Sequence, residues 1–182
     1  MYLGTDDKIS QYFLLGYCIF GNYKGVVDII DKRPYLIHMK HYDLLPIEIC
    51  LMNNFIEGAL YMMKKGANLK EIDKEKVFNG ILNNKNPGKK EAIYFLLDNG
   101  IELKEDDLYK MIILAKSESK LIEDVLKRVD LLSLNNLIVL LNKNDVAKDI
   151  RLYYNQQIQR LLHGKDFEGN YELFINLKSD SD

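Results

Sequence analysis

Long apolar runs are missing from this sequence. The stretch Phe13–Phe20 is broken by Gly16, and Leu137–Leu141 is five residues long, far short of the roughly 20 that cross a bilayer. No membrane span is expected. A basic excess is missing too: Lys+Arg number 25 against Asp+Glu 27, the signs are interspersed, and the net charge is −2. Nucleic-acid binders carry a basic patch or stripe, so DNA, RNA and anionic membrane are poor candidates for the main partner. The local cluster Lys85, Lys89 and Lys90 around Pro87-Gly88 reads as a solvated loop. Cysteine is scarce. Cys18 and Cys50 both lie among apolar residues, as small core hydrophobes do, which fits a reducing compartment and not a disulfide scaffold. The first residues, Met-Tyr-Leu-Gly-Thr-Asp-Asp-Lys, carry acids where a secretory signal has its basic region. The expectation is a soluble, cytoplasmic protein.

The residues of catalysis are equally thin. Of three histidines, His38 and His41 share the segment "HMKH", but no acid or cysteine set stands beside them to complete a metal site. No Gly-rich loop follows a strand, so no phosphate cradle is expected. The acid runs Asp6-Asp7, Glu105-Asp106-Asp107 and Glu123-Asp124 suit first turns of helices, where negative charge meets the positive end of the dipole. The sequence carries no expectation of an enzyme, a metal or a cofactor.

What is present is a globular balance, 47% hydrophobic and 29% charged, with a periodic organisation. The clearest stretch is "LPIEICLMNNFIEGALYMMKKGANL", residues 45–69. Pro46 suits the first position of a short helix, since its missing N–H is unpaired there anyway. Asn53-Asn54 ends that helix. Ile56, Ala59, Leu60, Met62 and Met63 have the 3–4 spacing of a second. Lys64-Lys65 and then Gly66 form its basic, left-handed close. Two helices this short need neighbours of their own kind to bury their faces.

Those neighbours are in the sequence. Residues 13–30 overlay on 45–62 without a gap at a shift of 32, placing Cys18 on Cys50, Val27 on Ala59 and Ile30 on Met62. Further pairs are expected at Val77–Leu82 with Glu91–Leu97, at Leu108–Ala115 with Leu121–Val129, and at Leu134–Leu141 with Val146–Leu162. Asp73, Asp106 and Ser133 stand as N-caps for the later first helices. Val146, Ile150, Tyr153, Tyr154, Ile158, Leu161 and Leu162 form the apolar stripe of a long last helix that caps the stack. The two cysteines fall at equivalent positions of neighbouring repeats, roughly 10 Å apart at ordinary helix spacing, and are expected as packed thiols beyond disulfide reach.

This pattern resembles the ankyrin-repeat family. The family's Thr-Pro-Leu-His-x-Ala signature is matched by Leu45-Pro46-Ile47-Glu48-Ile49-Cys50, and its Gly-Ala-Asp-Val close by Gly66-Ala67-Asn68-Leu69. Val26-Val27-Asp28-Ile29-Ile30 and Ala92–Leu97 resemble its second helix. The signature's Thr and His, which brace the family's turns, are Leu45 and Glu48 here. The resemblance implies an all-α, ankyrin-like α-solenoid of about five helix-turn-helix repeats over residues 1–163, followed by a tail, 164–182. In the tail, Tyr171–Leu177 alternates with a period near two, as a strand does, ahead of a disordered end.

The resemblance also implies where binding falls: a concave face of finger tips and first-helix surface. In the second repeat these positions are Tyr35, His38, Met39, Lys40, His41, Tyr42, Leu44, Met52 and Asn53, with Met39, Leu44 and Met52 expected as an exposed apolar patch beside Tyr42. In the third they are Lys70, Glu71, Asp73 and Lys74, and in the fourth Lys104 and Glu105. Tyrosine at such tips gives large contact area at low entropy cost. The implied function is a non-enzymatic module that binds a protein partner, of the kind viruses and intracellular bacteria direct at host proteins in the host cytoplasm. The alternatives are a steric inhibitor of one enzyme or defence nuclease, and a self-assembling structural subunit (a homo-oligomer).

Overall fold

The structure, a computed structural model, describes residues 5–84, 89–114, 119–128, 131–144 and 146–163. It is all-α. Among the described residues ten α-helices run in chain order: α1 Thr5–Phe20, α2 Tyr23–Lys32, α3 Pro46–Met52, α4 Ile56–Lys64, α5 Lys74–Asn83, α6 Lys89–Asp98, α7 Glu105–Leu114, α8 Ser119–Leu126, α9 Leu131–Lys143 and α10 Lys148–His163. Short 3-10 turns occupy Pro34–His38 and Leu69–Glu71. Among the described residues no helix is long and apolar enough to cross a membrane. The expected tail strand at 171–177 and the side chains of Lys85, Lys89 and Lys90 lie outside the described residues.

The helix ends follow the local chemistry. Asn22 caps α2 by accepting the Gly25 N–H at 3.0 Å, and Asp73 caps α5 by accepting the Lys76 N–H at 3.1 Å. Each uses a side-chain oxygen to satisfy an amide that the first helical turn leaves unpaired. Gly66 and Gly100 take φ of +108° and +78° just past α4 and α6, the left-handed stop expected of them. Two expected caps are corrected. Asp106 and Ser133 lie inside α7 and α9, because both helices begin earlier. At α7 the Asp107 carboxylate reaches back to the Lys104 N–H at 3.0 Å, so Lys104 is the position that the first turn closes on.

The helices stack in two rows. α1, α3, α5, α7 and α9 pack side by side; α2, α4 and α6 form the second row; α8 packs on α7 and α10 on α9. The core is one seam between the rows. It runs from Leu14, Val26 and Ile30 through Ile47, Leu51 and Met62, then Val77, Ile93 and Leu96, to Leu108, Val125, Leu137 and Ile158, all essentially inaccessible. Apolar burial of this continuity is the main source of the fold's stability.

The ungapped overlay of the first two repeats slips at the turn. The left-handed residue is Gly21 (φ +67°) in one repeat and Asn54 (φ +56°) in the next, 33 positions on. Val26, not Val27, therefore shares the buried position of Ala59. Cys18 and Cys50 do coincide, both inaccessible and both free thiols. A thiol–thiol hydrogen bond, with burial second, pushes the Cys50 thiol well above its ordinary pKa.

α1 is the largest departure from expectation. It is 16 residues long against 7 for α3, beginning eight residues before the apolar segment starting at Phe13. Leu14, Leu15 and Cys18 turn inward, while Ile9, Tyr12, Phe13, Ile19 and Phe20 are exposed. Apolar residues on both faces hide such a helix from periodicity.

Candidate functional site

The segment joining α2 to α3, residues 33–45, is the most elaborated loop of the described chain. Its base is fixed from three sides. From α1, Asp7 accepts hydrogen bonds from the Arg33 side chain at 3.1 Å and from the Tyr35 hydroxyl. That hydrogen bond is the first cause, ahead of burial, of the raised pKa of the Tyr35 phenol. Also from α1, the buried Gln11 amide donates to the carbonyls of Lys40 at 3.2 Å and Met39 at 3.5 Å. From below, Leu36 and Ile37 of the 3-10 turn insert into the core.

The third fixture is Glu48. It lies in the first turn of α3 and is 1% exposed. One carboxylate oxygen accepts the Leu45 N–H, closing the base of this finger; the other accepts the Asp73 N–H at 2.6 Å, at the base of the next. A single buried acid thus ties two successive loops to one helix end, whose dipole favours the negative charge. Glu48 stands where the ankyrin signature has His, and it braces the turns itself. The only sequence signal for it was an acid flanked by buried apolar residues, three positions after Leu45.

The tip of the loop is a two-residue turn. His41 and Leu44 exchange backbone hydrogen bonds of 2.8 and 3.0 Å, and between them Tyr42 and Asp43 take φ of +48° and +62°. Left-handed pairs of this kind ordinarily use Asn-Gly or Asp-Gly. For Tyr, with its bulky side chain, the conformation costs about 1–2 kcal/mol. Tyr42 is 85% exposed. Its ring meets His41 edge-on at 4.3 Å, and His41 meets Tyr12 of α1 edge-on at 4.9 Å. Tyr12, His41 and Tyr42 form a row across the edge of the stack.

The other expected site residues divide into two groups. His38, Lys40, Lys70, Glu71, Asp73, Lys74 and Lys104 are exposed, as finger positions should be; Tyr35 is exposed at the finger base, and Glu105 is half-buried. Met39, Leu44 and Met52 are not the exposed patch that was expected. All three are half-buried and pack against the core. Met52 lies so close over α5 that a Cβ on Gly80 would come within 2.2 Å of its terminal methyl. Asn53 is half-buried, its side chain donating to the Ile49 carbonyl at 2.8 Å. The later fingers are plainer. Leu69 and Ile72, then Ile101 and Leu103, point inward, and exposed charges alternate with them.

The outer row carries a device that sequence reasoning missed. Tyr61 on α4 donates to Asp31 at 2.5 Å, and Lys65 binds the same carboxylate at 2.6 Å. Tyr94 on α6 donates to Asp124 at 2.8 Å, while Arg128 lies 4.7 Å from the Tyr94 ring centre and bonds Asp98 at 2.7 Å. Tyr153 donates to Glu123. In every case a tyrosine spans adjacent repeats to an acid 30 positions away. The hydrogen bond from Lys65, then that from Tyr61, holds Asp31 below the usual carboxylate range. Burial and then the Asp124 hydrogen bond push the Tyr94 phenol up to about 12. No family model, curated protein or solved structure matches this chain.

Proposed function

We propose that the chain is an ankyrin-like repeat protein that binds another protein through the finger at residues 38–43 and the adjoining edge of the stack, and that it is not an enzyme. The observation that carries this reading is the tip itself. Tyr42 holds a backbone conformation unfavourable for its side chain, yet its ring is exposed and packs into no core. Backbone strain held in place by surrounding contacts concentrates at ligand clamps. Gln11, Asp7 and Glu48 supply those contacts. A rigid aromatic tip of this kind loses little entropy on binding. The partner is a protein surface with a pocket for one aromatic ring, and the effect on it is occlusion or tethering. The exposed polar and charged residues of the fingers, His38, Lys40, Lys70, Glu71, Asp73, Lys74 and Lys104, form a mixed polar rim around that anchor.

The test is affinity capture from lysate of the source organism or its host, with wild type beside Tyr42→Gly and a remote control, Lys120→Ala. A partner held by wild type and the control and lost from Tyr42→Gly supports the reading. A partner retained by folded Tyr42→Gly refutes the finger as the binding element.

A further inference from the structure

The exposed face of α1 adjoins the finger site at Tyr12, whose ring meets His41, and runs along the helix away from it. From Ile9 to Tyr23 the sequence has no charged residue. On this face Ile9 is 48% exposed, Tyr12 60%, Phe13 56%, Ile19 49% and Phe20 86%. At 100° per residue these five, with Gly16, fall within one continuous stripe along the helix. α1 packs on α2 and α3 with its opposite side, and among the described residues no other helix packs extensively on the stripe. The other end is finished differently: α10 exposes Lys148, Asp149, Arg160 and His163 around Leu152 and Tyr153. Repeat stacks need a polar cap at each end; among the described residues the surface is polar at α10 and apolar at α1.

Gly16 lies at the middle of the stripe. Glycine inside a helix costs about 1 kcal/mol relative to alanine, and among the described residues a Cβ at Gly16 would meet nothing within 4 Å. No contact among the described residues accounts for it. A second helix crossing there does, because the missing side chain lets two backbones approach.

We propose that α1 is a homodimer interface in which two copies cross their α1 helices antiparallel at Gly16. The stripe has the symmetry this requires. Across a two-fold axis at Gly16, residues equally far before and after it face each other, so Phe13 meets Ile19 of the second copy and Tyr12 meets its Phe20. Residue i contacts j and j contacts i, the signature of an isologous contact. The area also suits. At roughly 200 Å² per aromatic ring, the exposed fractions of Tyr12, Phe13 and Phe20 amount to about 400 Å² per copy, and the two isoleucines bring the stripe to about 500 Å². Two copies together offer at most about 1,000 Å² to the contact, against an apolar share of about that size in a standard interface of about 1,600 Å². A groove of about 270 Å³ between α1 and α2, apolar at Phe13, Tyr17 and Ile29 and charged at Asp28, Lys32 and Arg33, flanks the stripe.

Sedimentation equilibrium and oxidative cross-linking of the full chain test this. At tens of micromolar the wild type is expected to have twice the chain mass, and Tyr12→Glu with Phe20→Glu to have the chain mass, its dissociation constant raised about a hundredfold or more. Both mutated positions are exposed, and circular dichroism checks the fold. Gly16→Cys, on the axis, is expected to oxidise to a covalent dimer, while Lys120→Cys, on α8, is not. Tyr42→Gly is expected to leave the mass unchanged, which separates this contact from the finger. A monomeric wild type overturns the proposal. If its Gly16→Cys thiol then resists maleimide, residues 1–4 or 164–182 of the same chain cover the stripe; if it reacts freely, the face is bare. A charged double variant that remains dimeric overturns it as well, and so does equal cross-linking of the Gly16→Cys and Lys120→Cys variants.

Discussion

Replacing Glu48 by alanine removes one side chain and releases two backbone amides in different repeats. The Leu45 N–H sits on a buried residue and loses its only side-chain acceptor; the Asp73 N–H is partly buried, so water reaches it more easily. Hydrogen bonds to an ionised acceptor contribute about 1.5–3 kcal/mol each. Losing both would cost about 3–6 kcal/mol on that basis, and two effects lower the total. Water re-solvates the Asp73 amide, and the buried negative charge no longer has to be desolvated. The expected loss is about 3 kcal/mol.

Glu48→Gln separates the charge from the hydrogen bonds. Glutamine keeps the volume and one acceptor oxygen, but its amide nitrogen faces a donor. The expected order of stability is wild type, then Gln, then Ala, measured by urea denaturation followed by circular dichroism. Hydrogen exchange supplies the local reading: the amides of Leu45 and Asp73 should lose protection together in both variants, before the rest of α3 does. A loss below about 0.5 kcal/mol for Glu48→Ala, within the range of ordinary surface substitutions, would refute the brace. So would unchanged protection of the Asp73 amide.

Three further outcomes are expected. Tyr42→Gly should stabilise the chain by about 1 kcal/mol, because glycine adopts positive φ without the steric cost; a lower melting temperature would remove the strain from the functional argument. Tyr94 and Tyr154 have phenols pushed up to about 12 by burial, against 10.0 for the unperturbed group. A raised folded value contributes stability that is whole below about pH 10 and lost as pH rises toward about 12, so base unfolding should fall in that window, with phenolate absorbance rising at the same pH. Tyr94→Phe should flatten this alkaline slope, and an unchanged slope would contradict the assignment. Asp31 and Asp124 are held below the ordinary carboxylate value by Lys65 and by Tyr94 respectively. Their contribution is present above the unfolded carboxylate pKa and lost as pH falls through the folded values; acid titration of Asp31→Asn should therefore show a shallower decline than wild type.

The helix pairs were legible because their punctuation is local. Gly66, Gly100 and Asn54 stop helices through backbone conformations that few other residues adopt easily, and the 3–4 spacing between them marks a buried face. What lay beyond reach needs the relative placement of two repeats. Glu48 reads as a surface acid until the next finger is laid against it. The link from Tyr61 to Asp31 and that from Tyr94 to Asp124 join residues 30 apart, a separation set by how the second helices stack, and not by either sequence window. Met52 was expected at the surface because first-helix residues of such repeats face the concave side; the bare Gly80 opposite it lets the side chain fold down instead. The turn at Tyr42-Asp43 lacks the Asn or Gly that normally announces left-handed backbone, so only the structure reveals it.

The strained tip and the repeat-to-repeat ties depend on each other. A turn that costs energy persists only if its ends cannot relax into an easier path. The ends of this one are held by α1 through Gln11 and Asp7, and by α3 through Glu48, which is itself bonded to the following finger. Outside the fingers, the tyrosine–acid contacts of the second row fix the spacing of successive repeats, and with it the distance across which Glu48 must reach. The rigidity of the Tyr42 tip is therefore a property of several repeats together, supplied by side chains that the ankyrin signature does not specify. Tyr12 joins this framework to the open face of α1, since one ring both contacts His41 beneath the tip and contributes to the apolar stripe. The two surfaces proposed as contacts thus share one edge of α1.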